Sequence, residues 1–161
     1  MEGVATLSDI QPAMVEQYAD ELLKLENQLC FPLYVCSKEV VHRYAPFLKE
    51  LGITYTQYIT LMALWEHDSV SIGELGERLY LDTGTLTPLL KKLEEKGLVN
   101  RVRSADDERR VDITLTDAGR SLKQRAAMVP VHMGRCVNLT PDEALELKRL
   151  LSKVIESVGE R

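Results

Sequence analysis

VSIGELGERLYLDTGTLTPLLKKLEEKGLVNRVRSADDERRVDITLTDAGRSL, residues 70 to 122, switches hydrophobic period within one stretch, and that switch decides the fold. Ile72, Leu75 and Leu79 recur at helical spacing behind Ser71, a capping residue type. The polar turn Asp82 to Thr85 interrupts them. Leu86, Leu89, Leu90 and Leu93 then mark a second helix that Gly97 ends, which makes a helix-turn-helix. Pro88 leaves the start of that helix anywhere from Asp82 to Thr85, and Tyr80 and Leu81 are expected in the core. Val99 and Val102 lead into SADDERR, after which Val111, Ile113 and Leu115 alternate with Asp112 and Thr114, the period of a half-buried strand. Two strands joined by a charged tip form a β-wing.

Outward from this stretch the apolar spacing is helical. Residues 12 to 25 predict an amphipathic helix opened by Pro12, with Met14 or Val15, Tyr18, Leu22 and Leu25 on one side. Pro32 is tolerated only in a first turn, so the next helix starts between Asn27 and Phe31 and runs to about Tyr44, before Ala45-Pro46. Residues 54 to 66 form another helix with Thr54 as N-cap. Thr116 caps a helix that Pro130 interrupts, and Thr140-Pro141-Asp142-Glu143 is a capping box opening a long amphipathic helix to about Val158. The fold class is mainly α with a small β-wing.

A chain of 161 residues suits one domain. Three cysteines, with no basic and apolar leader at the start, argue for a reducing compartment and a cytoplasmic protein. No run reaches the roughly 18 apolar residues of a membrane span. Net charge is −5, yet between Arg78 and Arg110 eight basic side chains face six acidic ones, a local excess of +2. A locally positive helix-turn-helix and wing on an acidic body is the footprint of a phosphate-binding face. Glycine-rich phosphate loops, HExxH and CxxC are absent from the sequence, so neither an enzyme nor a cofactor is expected.

LENQLCFPLY, residues 25 to 34, sets Cys30 among Leu29, Phe31 and Leu33. Composition alone allows a buried, inert thiol. A thiol at a helix N-terminus, however, faces free amide donors and the positive end of the dipole, which favour negative charge on sulfur. Cys36 lies on a different helix face and is expected to pack. His132 and Cys136 have a metal-capable i, i+4 spacing but no second such pair, so a structural or redox role is expected and no metal. His42 and His67 are expected on the surface.

Asp107-Glu108-Arg109 followed by VDITLT resembles the wing motif of the MarR family of winged-helix regulators. More narrowly, LENQLCFPLY, TYTQY, LYLDTGTLTPLLKKLEEKGLV and RSADDERR resemble the organic hydroperoxide resistance repressors of that family. The likeness covers residues 24 to 125; beyond about Ala126 it is one of helical architecture. It implies an N-terminal helical extension at 1–24 and a winged-helix domain at 25–161, with a DNA-binding part at about 54–116 and dimerisation helices at about 27–48 and 117–158. An intertwined homodimer on a palindromic operator follows from it. Arg109, braced by Asp107 and beside Arg110, would enter the minor groove. Thr83, Thr85 and Thr87, with Lys91 or Lys92 a turn later, would meet base edges and phosphates, although the threonines can equally serve to cap the helix.

The same resemblance makes Cys30 a redox sensor, with the hydroxyls of Tyr44 and Tyr55 near it from the other subunit and Tyr34 adjoining. Attack on a hydroperoxide would give sulfenic acid, and the apolar neighbours would favour organic hydroperoxides as inducer. Cys136 is the candidate resolving thiol. The expected function is repression relieved by oxidation. The alternatives are a regulator responding to another oxidant, a metal or a small ligand, and a thiol peroxidase, which would share Cys30 but have no use for a wing.

Overall fold

The structure, a computed structural model, describes residues 12–103 and 111–159. Helix α1 (Pro12–Leu22) is followed by a 3-10 turn at Leu25–Asn27. Then come α2 (Cys30–Glu50), α3 (Tyr55–Glu66), β1 (Val70–Ser71), α4 (Ile72–Leu79), α5 (Thr83–Glu95), β2 (Val99–Arg103), β3 (Val111–Leu115), α6 (Asp117–Ala126), α7 (Met128–Cys136) and α8 (Pro141–Val158). Two compact units divide the chain at His42 and Arg43, inside α2. Among the described residues no helix is long and apolar enough to cross a membrane.

The second unit holds the core. Helix α3 buries Gln57, Tyr58, Thr60, Leu61, Ala63 and Leu64, so it is covered on nearly all sides. Leu75 of α4 and Leu86, Leu89, Leu90 and Leu93 of α5 close on it, as the helical spacing predicts. Ser71, Thr54 and Thr140 each accept a hydrogen bond from the third backbone amide of their helix while a Glu or Gln side chain answers, three complete capping boxes. Strands β2 and β3 pair antiparallel from Val99 opposite Leu115 to Arg103 opposite Val111. Beside β3 lies β1, giving the sheet order β1-β3-β2. At two residues β1 is too short for any periodic signal, and it merges into the cap of α4.

Four expectations need correction. Helix α2 continues through Pro46 to Glu50 instead of stopping near Tyr44. Pro46 forfeits one backbone bond, but buried Leu48 and the Phe47 ring stacked on His132 (4.9 Å) hold the last turn. It ends where Gly52 takes φ +71 and Ile53 N–H reaches back to Leu48 O. The break before α7 falls at Ala127, since Pro130 belongs to the first turn of α7 and its ring ends α6 at Ala126, four residues earlier. Tyr80 is not core: it caps α4 with φ 55 and is 64% exposed, while Leu81 is half-buried. Cys36 is exposed and does not pack within its own chain.

Asp68 fastens the wing root. Its Oδ1 accepts from Leu115 N–H (2.8 Å) and Ser69 N–H (2.9 Å), and its Oδ2 pairs with Arg120, whose other nitrogen donates to Leu115 O (2.9 Å). Partial burial works to raise its pKa, but the bonds from Leu115 and Arg120 outweigh it and hold the carboxyl below the usual carboxylate range. A depressed folded pKa stabilises the fold above the unfolded value near 4 and stops doing so as pH falls through the folded value. Asp68→Ala, which strands the Leu115 N–H, is expected to cost about 1–3 kcal/mol at pH 7 and less near pH 3. Urea titrations at both pH values check this, and equal stability of variant and wild type at pH 7 would refute it.

Candidate nucleic-acid interface and redox site

Helix α5 begins at Thr83 with Asp82 as N-cap, which settles the start that Pro88 obscured. Pro88 sits inside the helix, where the Asp82 cap and the four buried leucines outweigh the lost backbone bond. Opposite the leucines, Thr83, Thr85, Thr87, Lys91 and Lys92 are all exposed. Thr85 Oγ1 donates to Asp82 Oδ2 (2.7 Å), which together with the Thr85 N–H holds the Asp82 carboxyl below its usual range. Thr87 Oγ1 donates to Thr83 O (2.8 Å). Both hydroxyls spend their proton within the helix, so what they turn outward is acceptor lone pairs.

Two of the basic residues counted in the sequence serve the fold. Arg78 is ion-paired with Glu66 and bonded to the exposed ring of His67 (2.9 Å). Lys96, at the C-cap of α5, donates to Gly52 O and to Gln57 Oε1 (3.2 Å), tying α5 to the α2–α3 corner. No feature of the sequence signals either partner. In the wing, Arg101 is half-buried and Arg103 exposed. Asp107, Arg109 and Arg110 lie outside the described residues.

Helix α4 approaches its own turn closely. A Cβ on Gly76 would stand 2.8 Å from Leu81 O, so glycine lets the chain double back into α5.

Cys30 is exposed and is the first residue of α2, with Pro32 in the first turn as expected. Around it in sequence Leu29 is 69% and Phe31 40% exposed, Leu33 is half-buried, and Tyr34 is exposed. In the second unit, Tyr44 and Tyr55 are brought together edge to face, ring centroids 5.0 Å apart. Burial first, and then the neighbouring Tyr55 oxygen, push the Tyr44 phenol above its usual pKa, which keeps it a proton donor. Tyr58, one turn beyond Tyr55, completes the cluster 6.0 Å from Tyr44; its helical spacing gave it no mark beyond that of a core residue. Cys136 is exposed at the last position of α7, and His132 packs on Phe47. His42 is exposed, as expected.

The sequence profile described as transcriptional regulator SarA/Rot matches residues 43–126, just over half of the chain and the whole helix-turn-helix and wing. The chain belongs to the SarA/Rot family. It is therefore a winged-helix transcriptional regulator, and the relatives of this SarA/Rot member are regulators, not enzymes. It is 48% identical to the organic hydroperoxide resistance transcriptional regulator of Bacillus subtilis over 130 residues, 81% of this chain and 86% of that one. To the HTH-type transcriptional regulator SarZ of Staphylococcus saprophyticus it is 45% identical over 131 residues, 81% and 90% of the two chains. Among solved structures it is similar to reduced AbfR of Staphylococcus epidermidis bound to DNA, with TM-score 0.76, 35% identity and coverage of 88% and 96%. Disulfide-formed AbfR matches with TM-score 0.60, 36% identity and coverage of 91% and 99%. The family model is that of SarA/Rot, where the motifs alone resembled MarR.

Proposed function

We propose that this regulator represses transcription as a homodimer on palindromic DNA when reduced, and leaves the operator when an organic hydroperoxide oxidises Cys30. The observation that carries the reading is an exposed thiol at the start of α2, flanked by exposed Leu29 and Phe31, in a chain whose α5 exposes Thr83, Thr85, Thr87, Lys91 and Lys92. The names of the Bacillus relative and of the reduced and disulfide-formed AbfR structures support it.

DNA binding is assigned to about 54–116. Thr83, Thr85 and Thr87 meet base edges, the two bonded hydroxyls accepting from exocyclic amines, and Lys91 and Lys92 meet phosphates. Arg109, with Asp107 and Arg110, reads the minor groove. The helices at about 27–48 and 117–158 form the dimer, with 1–24 as an extension. Supporting this, α1 and α8 carry large exposed apolar side chains, among them Tyr18, Leu22, Leu150, Leu151 and Ile155, which a second copy would cover. The regulator acts in the cytoplasm.

The chemistry is a two-electron oxidation. The Cys30 thiolate attacks the distal oxygen, the O–O bond breaks, the leaving alkoxide takes a proton to become the alcohol, and sulfur is left as sulfenic acid. Tyr44 and Tyr55 donate hydrogen bonds to the thiolate, with Tyr34 alongside. The resemblance carried by the sequence motifs implies that these two tyrosines come from the partner subunit. The Cys136 thiol of the partner then attacks the sulfenyl sulfur, forming a disulfide and releasing water. That bond needs Cα atoms within about 7 Å, so a wider gap in the reduced dimer would demand helix movement, and such movement would shift the two recognition helices out of register with successive major grooves.

A gel-shift titration with a stoichiometric dose of cumene hydroperoxide, followed by non-reducing electrophoresis, tests this. Release of the operator with a covalent dimer in wild type, and no covalent dimer in Cys136→Ser, is expected. Wild type that releases while staying monomeric would put an external thiol in place of Cys136. Wild type that stays bound would overturn the peroxide reading.

A further inference from the structure

A column of four aromatic rings joins the tyrosine cluster to the root of the wing. Tyr55 stands against Tyr44 (5.0 Å), Tyr44 against Tyr58 (6.0 Å), and Tyr58 edge-on against Trp65 (6.4 Å, interplanar angle 70°). Tyr58 is 4% exposed, so its ring has no solvent to swing into, and a displacement of Tyr44 is passed on through packed neighbours. At the far end the indole Nε1–H of Trp65 donates to Gly119 O (2.9 Å), and Lys123 Nζ donates to Trp65 O (3.2 Å).

Gly119 is where both wing strands are rooted. Its Cα presses on the Leu98 carbonyl, whose carbon would be 3.1 Å from any Cβ placed there. Leu98 runs directly into β2, and its oxygen also accepts from Thr116 N–H (3.1 Å), the residue that follows β3. Thr116 Oγ1 donates to Gly97 O (2.6 Å), closing the knot. Trp65 thus touches the tyrosine column on one side and the junction of β2, β3 and α6 on the other.

We propose that Trp65 is a positioning residue that carries the redox state of the Cys30 site to the wing, its indole N–H setting the pose of α6 and hence of β2 and β3. The proposal rests on the peroxide reading above. When Cys30 is drawn into the disulfide, its sulfur leaves the Tyr44 and Tyr55 hydroxyls, the two rings relax, Tyr58 transmits the shift, and Trp65 moves against Gly119. Coupling between sites at this range requires an element with two arrangements that both sites bias, and the α6 junction is that element.

Trp65→Phe keeps an aromatic ring and deletes the N–H. Reduced Trp65→Phe is expected to bind operator within about threefold of wild type and to lose its Cys30 thiol at the wild-type rate. The affinity drop on oxidation should shrink by about tenfold, within the usual span of allosteric coupling. Tyr58→Leu gives a second reading. Trp65 is the single tryptophan of the chain, so its emission reports the junction directly. That emission should change on oxidation of wild type and stay constant in Tyr58→Leu.

Trp65→Phe that releases operator as wild type does, or wild-type emission unmoved by oxidation, overturns the relay alone. Wild type that stays on the operator after Cys30 is oxidised overturns the peroxide reading and the relay with it.

Discussion

Gly119→Ala is expected to destabilise the fold by about 4 kcal/mol, the range reached when a side chain is forced into a packed site with no room to relax. A Cβ at this position would fall within the contact radius of Leu98 O, and it would also meet Leu115 Cδ2 at 3.2 Å. Backbone cannot yield as the end of a flexible side chain does. Helix α6 would have to lift from Leu98, pulling Gly119 O from the Trp65 indole and its N–H from the Thr116 hydroxyl (3.0 Å). Against a total stability of about 5–15 kcal/mol, that loss would leave a substantial unfolded fraction. The contrast is Gly134, in α7, where a Cβ meets nothing within 4 Å; Gly134→Ala should be neutral or stabilise by up to about 1 kcal/mol. Guanidinium titrations of the two variants compare them, and a Gly119→Ala midpoint equal to that of wild type would refute the close approach.

Cys30→Ser should bind operator as wild type does and remain bound at any dose of organic hydroperoxide that leaves the methionines intact. Serine keeps the size of the side chain, and Cys30 is exposed, so stability should change by no more than about 0.5 kcal/mol. What is lost is the nucleophile: a hydroxyl is not ionised near neutral pH and does not attack a peroxide oxygen. The effect is all or none in release, with affinity untouched. Binding isotherms with and without cumene hydroperoxide measure both. A Cys30→Ser protein that still dissociates would move the sensing thiol to Cys36 or Cys136.

The helix-turn-helix and the wing were legible because they rest on local rules. Leu86, Leu89, Leu90 and Leu93 keep their spacing, Ser71 and Thr116 cap what they precede, and the alternation from Val111 to Leu115 pairs with β2 as read. What escaped depends on groups distant in the chain. Helix α2 outlasts Pro46 because Phe47 finds His132, 85 positions away in sequence. Tyr80 leaves the core because the turn demands a left-handed residue there, which rotates the ring outward. At the candidate site, Pro32 was enough to place a helix start between Asn27 and Phe31, with Cys30 at or beside it, since a proline ring tolerates few other positions; the structure begins α2 at Cys30. The meeting of Tyr44 and Tyr55 comes from a corner between two helices, to which no periodicity within either helix points.

The tether of Lys96 to Gly52 and Gln57 changes how the regulator should be counted as a polyelectrolyte ligand. Eight cationic side chains lie between Arg78 and Arg110, but Arg78 is ion-paired with Glu66, and Lys96, exposed and still charged, is held by Gly52 O and Gln57 Oε1, so both are engaged by the protein before DNA arrives. Setting these two aside leaves six in this stretch of sequence, of which Arg109 and Arg110 lie outside the described residues. With each phosphate neutralised contributing about 0.9 to the logarithmic salt slope, this stretch of a single chain would contribute a slope of at most about 5.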